Sequence, residues 1–105
     1  MSLERSVLIC DQVNPIIKEI LEKNGLKVTY EPEITPEQLG EKIGMYEVVV
    51  VRSRTKLSKE LVEKADKCQI IARVGVGLDN IDEEAAKEKN IRVINAVEGA
   101  ITAVA

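Results

Sequence analysis

Short apolar runs alternate with amphipathic stretches along this chain, and the alternation predicts its elements. Ser6–Cys10 is an apolar run of strand length. Asn14-Pro15 then opens a helix, with Asn as cap and Pro at the first helical position. Ile16, Ile17, Ile20 and Leu21 recur at helical spacing and define an expected buried face, and Asn24-Gly25 supplies a left-handed stop. Leu26–Tyr30 reads as a second strand. Thr35, Pro36 and Gln38 form a capping-box signature for a short helix ending near Gly44.

The second half repeats this logic. Tyr46–Val51 contains four consecutive valines, the mark of a strand buried on both faces. Ser58 is a cap candidate for a helix with Leu61, Val62 and Ala65 turned inward, and Glu60/Lys64 and Glu63/Lys67 are spaced as surface pairs. Gln69–Arg73 and Ile91–Ile94 are further strands, separated by a helix that Asp82 caps and that runs to about Lys89. The spacing predicts an α/β three-layer fold with a five-stranded parallel sheet. Right-handed crossovers and the strand count suit the flavodoxin-like order 2-1-3-4-5. Residues 1–97 form that domain, and 98–105 read as the first turns of another helix.

The chain has 105 residues, 45% apolar and 31% charged, which suits one globular domain. A net charge of −3 and only two aromatics, Tyr30 and Tyr46, argue against nucleic acid as a partner. No apolar run approaches the roughly 20 residues of a bilayer span, and the N-terminus lacks a signal-peptide pattern, so the expectation is a cytoplasmic protein with no membrane partner. Cys10 and Cys68 lie in or beside strands and read as buried thiols. Histidine is absent, which removes the commonest general acid/base and zinc ligand, and no metal site is expected.

Ligands of open α/β sheets bind beyond the carboxyl ends of the strands. That rule selects Asp11–Val13, Arg52–Lys56 and Gly75–Asn80, with the 95–100 segment at the same edge. The arginines and hydroxyls of the second loop suit carboxylate or phosphate. Gly75-Val76-Gly77 lets backbone N–H groups approach an anion. The same loop fails as a dinucleotide fingerprint, because Asn80 stands at the third glycine position and the helix cap comes later, at Asp82. Asp11 follows strand one but Arg52 ends strand three, so a phosphoacceptor cluster is not formed. The loop after strand one also lacks the hydroxyls a flavin phosphate needs.

Three segments carry a resemblance: Val-Arg-Ser-Arg-Thr-Lys at 51–56, Ala-Arg-Val-Gly-Val-Gly-Leu-Asp-Asn-Ile-Asp at 72–82, and Asn-Ala-Val-Glu-Gly-Ala-Ile-Thr-Ala-Val-Ala at 95–105. In order and spacing they resemble the N-terminal, substrate-side domain of the D-2-hydroxy-acid dehydrogenase family, and within it the branch that oxidises 3-phosphoglycerate. The resemblance implies that the Val76 and Gly77 backbone holds the substrate carboxylate. It implies that Arg52 and Ser53 contact the anionic end, with Arg54 nearby. It further implies that 98–105 begins a helix crossing to an NAD-binding domain, with Val104 near the nicotinamide. The implied partner is a small anionic 2-hydroxy or 2-oxo acid, and the implied assembly a homo-oligomer in serine biosynthesis. NAD belongs to the longer enzyme; no catalytic residue and no bound cofactor are expected in this stretch, which alone is expected to be inactive. Val97, Ala100 and Ala103 replace the proline, polar residue and serine common in the family, so this segment lacks polar groups that would meet a substrate phosphate. A stand-alone small-anion-binding or interaction module on the same fold is the competing reading.

Overall fold

The structure, a computed structural model, describes residues 5–52, 54–74, 80–97 and 100–103. Strands β1 (Ser6–Ile9), β2 (Lys27–Tyr30), β3 (Val48–Val51), β4 (Ile70–Val74) and β5 (Arg92–Val97) alternate with helices α1 (Pro15–Lys23), α2 (Pro36–Lys42), α3 (Lys59–Glu63) and α4 (Glu83–Glu88). All five strands pair in parallel in the order β2-β1-β3-β4-β5. This is the flavodoxin-like α/β arrangement that the alternation predicts.

Side chains divide by strand period. Leu8, Cys10, Val49, Val51, Ile71 and Val93 join the larger core, together with Leu39, Leu61, Val62, Ala85 and Ala86 from α2, α3 and α4. Their neighbours Val7, Ile9, Val50 and Ala72 enter a smaller core with Ile17 and Leu21 of α1. A sheet buried on both faces explains why β3 is valine throughout.

Caps fix where three helices start. The Asn14 side chain accepts from the Ile16 N–H at 3.0 Å. Thr35 and Gln38 exchange reciprocal bonds of 3.2 and 3.1 Å, and Asp82 accepts from the Ala85 N–H at 3.0 Å. Ser58 differs from expectation: it occupies the cap position of α3 but makes no side-chain cap bond. Because α3 ends at Glu63, Lys64 and Lys67 fall outside it, and neither expected surface pair forms among the described residues. Left-handed residues stop two helices, Gly25 (φ 83°) after α1 and Asn90 (φ 59°) after α4.

One expectation is corrected. Within the 98–105 segment read as a starting helix, Ala100–Ala103 forms a sixth strand, β6, antiparallel to β5 with Val97 opposite Ala100. Ile101 and Thr102 are β-branched and favour extended backbone, and the outer edge of β5 offers unpaired N–H and C=O groups.

Packing of Ile71, fully buried in the larger core, generates a test. Ile71→Ala is expected to lower unfolding free energy by about 2–5 kcal/mol. Met45→Ser, at a side chain 58% exposed, is expected to change it by less than about 0.5 kcal/mol. Urea titration followed by circular dichroism reads both.

Candidate functional site

The carboxyl ends of β1 and β3 converge on one buried carboxylate. Asp11 follows β1 directly and is 1% exposed. Its Oδ2 accepts from the Arg52 N–H at 2.6 Å and the Thr55 N–H at 3.1 Å. Its Oδ1 accepts from the Thr55 hydroxyl and pairs with Arg54 Nε at 3.2 Å. A buried charge is tolerated only when paired and hydrogen-bonded, and here every contact comes from the loop after β3.

Arg54 is absorbed by the same scaffold. Its Nη2 donates to Pro32 O at 2.8 Å and Cys10 O at 2.9 Å, with Ile34 O at 3.3 Å. The guanidinium thereby ties the loop after β3 to those after β1 and β2. From the other side, the Asn80 amide donates to the carbonyls of Arg52 and Thr55 at 2.5 and 2.6 Å. Asn80 Oδ1 in turn accepts from Nε of the buried Arg73 at 2.7 Å. Backbone bonds complete the join: Leu57 N–H donates to Asn80 O at 2.7 Å, and Asp82 N–H to Leu57 O at 2.9 Å.

Arg52 is therefore bonded through its N–H to Asp11 and through its C=O to Asn80. Its own side chain is exposed and makes no hydrogen bond or ion pair among the described residues. It lines a cleft of about 670 Å³ together with Asp11, Gln12, Pro32, Glu33 and Arg54. Arg54 is turned to carbonyls and Asp11, so of the two arginines lining this cleft Arg52 is the one whose guanidinium is uncommitted among the described residues. Of the other sequence-derived candidates, Ser53, Val76, Gly77 and Val104 lie outside the described residues. Among the described residues no group of acidic, histidine or cysteine side chains is arranged to hold a metal ion.

Sequence reasoning passed over four residues of this scaffold: Asp11 as an acceptor, Thr55, Arg73 and Asn80. One signal was available. Arg73 is a cation inside an otherwise apolar strand, and such a residue must find a buried acceptor nearby.

The thiols are inert parts of the packing. Burial first, and then the Asp11 charge, push Cys10 from 9.0 to about 12. Burial pushes Cys68 to about 11, opposed by backbone hydrogen bonds. The folded chain thus retains protons that the unfolded chain releases near 9.0. The stability this contributes is complete below the ordinary thiol range and is lost as pH rises through the folded values. Urea stability is expected to fall from about pH 9 upward, with a shallower fall in Cys10→Ala. Asp11→Ala strands two backbone donors and is expected to lower stability by about 3 kcal/mol, measured by the same titration at neutral pH.

Comparison with known proteins identifies the family. Residues 7–105 match the family model for the D-isomer specific 2-hydroxyacid dehydrogenase catalytic domain. D-3-phosphoglycerate dehydrogenase of Methanocaldococcus jannaschii is 44% identical over 99 residues, covering 94% of this chain and 19% of that protein. Hydroxypyruvate reductase of Thermotoga maritima is 42% identical over 86 residues, covering 78% of this chain and 28% of its own length. The NAD+-bound 3-phosphoglycerate dehydrogenase of Entamoeba histolytica superposes with a TM-score of 0.77 at 33% identity, over 88% of this chain and 32% of that one. The chain thus spans less than a third of each of these relatives. With its fold and these matches in agreement, the chain belongs to the D-isomer-specific 2-hydroxyacid dehydrogenase family.

Proposed function

We propose that this chain is the substrate-binding part of an NAD-dependent D-2-hydroxy-acid dehydrogenase that oxidises 3-phosphoglycerate. The observation that carries the reading is the exposed Arg52 guanidinium, held by its backbone at the mouth of a strand-end cleft, in a chain 44% identical to a D-3-phosphoglycerate dehydrogenase. A guanidinium donates two parallel hydrogen bonds to a carboxylate or phosphate, which suits a small anionic 2-hydroxy acid. Ser53 would add a hydroxyl to the same anionic end. The N–H groups of Val76 and Gly77 would receive the carboxylate, where glycine allows close approach.

The described residues do not fit a dinucleotide. Asn80, at the third glycine position of the fingerprint, has its amide committed to Arg52, Thr55 and Arg73. The helix that follows starts at Glu83 behind its Asp82 cap and so does not open on the glycines. In this reading NAD is held by other parts of a longer enzyme, with Val104 on the way to the nicotinamide. The chain alone is then inactive and binds no cofactor. A cytoplasmic location, a homo-oligomeric state and a place in serine biosynthesis belong to the same proposal and rest on the family resemblance. Among the described residues, no helix is long and apolar enough to cross a membrane.

Joined to an NAD-binding half, the chain is expected to oxidise 3-phosphoglycerate with reduction of NAD. Arg52→Gln is expected to raise KM by about 10- to 100-fold, the loss of a charge-assisted hydrogen bond of about 1.5–3 kcal/mol. Steady-state kinetics with 3-phosphoglycerate, and with glycerate as the phosphate-free comparison, measure this. A joined enzyme that turns over no 2-hydroxy acid refutes the reading. Tight binding of 3-phosphoglycerate by the 105-residue chain alone would favour a stand-alone anion-binding module, since half a cleft binds weakly.

A further inference from the structure

The clamp on Arg52 is two-sided, and its two jaws come from different strands. Asp11, at the end of β1, accepts from the Arg52 N–H; Asn80, ahead of α4, donates to the Arg52 carbonyl. Thr55 is gripped by the same two side chains, through its N–H and hydroxyl on one side and its carbonyl on the other. Arg52 and Thr55 are thereby each held from both sides, by Asp11 and by Asn80.

We propose that Asn80, acting with Asp11, is a positioning residue that sets where the Arg52 guanidinium meets the substrate anion. The inference rests on the proposed function, in which Arg52 contacts that anion. Two features separate this role from ordinary loop packing. First, the clamp bonds to Arg52 only through its backbone, so the guanidinium stays available. Second, Asn80 is itself oriented: the buried Arg73 Nε, 2.7 Å from Asn80 Oδ1, selects the amide orientation that turns Nδ2 toward Arg52 and Thr55. Arg73 thus orients Asn80, and Asn80 orients Arg52. Such a supporting shell matters because a loosely held guanidinium loses ordering entropy on each binding event.

The test is a double-mutant cycle in the joined enzyme. Asn80→Ala and Asn80→Ser are made alone and in an Arg52→Gln background, with folding checked by circular dichroism. Serine restores one small donor and covers the case in which alanine fails to fold. The expectation is a KM for 3-phosphoglycerate raised about tenfold by Asn80→Ala and less by Asn80→Ser, with kcat changed less than threefold and KM for NAD unchanged. In the Arg52→Gln background the same changes are expected to add less than twofold. An Asn80 effect that multiplies in full onto Arg52→Gln overturns the positioning role, as does an Asn80 variant with lowered thermal stability and unchanged KM. If Arg52→Gln itself leaves KM unchanged, the assignment of Arg52 to the anion fails, and the positioning inference fails with it.

Discussion

A single acidic side chain, Asp11, buried to 1% exposure just past the first strand, organises the strand-end edge of this domain. A carboxylate buried there needs donors, and the chain supplies them all from the loop after β3. That requirement fixes Arg52 and Thr55. It also draws in Arg54, which spends its guanidinium on three carbonyls and Asp11. What remains beside the cleft is one arginine, Arg52, whose guanidinium is uncommitted among the described residues. The polarity of the site follows from which of two neighbouring arginines the carboxylate captures.

The second jaw of the clamp shows how a parallel sheet makes such a site rigid. Loops after adjacent strands leave the sheet side by side, so β3 and β4 deliver Arg52 and Asn80 to the same place. The isolated parallel bridge between Leu57 and Ile81 continues the sheet pattern beyond the strands and brings the two loops into register. Binding sites at strand ends gain precision when their loops are tied in this way, because the sheet core is close-packed and does not yield.

The two cores tell a related story about support. The face carrying α2, α3 and α4 holds the larger cluster, including Leu8, Val49, Val51 and Ile71. The opposite face is covered by α1 through Ile17 and Leu21, whereas Ile16 and Ile20, expected on the same buried face, are each about half exposed because no further element packs over them among the described residues. The residues of the clamp belong to neither core. Their order comes from hydrogen bonds and one ion pair, which are directional, and so they hold an angle as well as a distance.

By itself the sequence determined the parallel five-strand order and the caps at Asn14, Thr35 and Asp82. These are local or periodic properties: a capping side chain lies within three residues of its donor, and a strand's two faces alternate by two. The family was legible for the same reason, as three motifs in fixed order. Only the tertiary structure decided what each polar residue does. Asp11 and Arg52 are 41 positions apart, and Asn80 and Arg52 are 28 apart, so no local pattern links them. Arg52 and Arg54 are chemically identical and near neighbours, and their different roles depend on which one reaches Asp11. Ala100–Ala103 paired as a strand because the free edge of β5 was available, a fact held in the sheet and invisible in the segment.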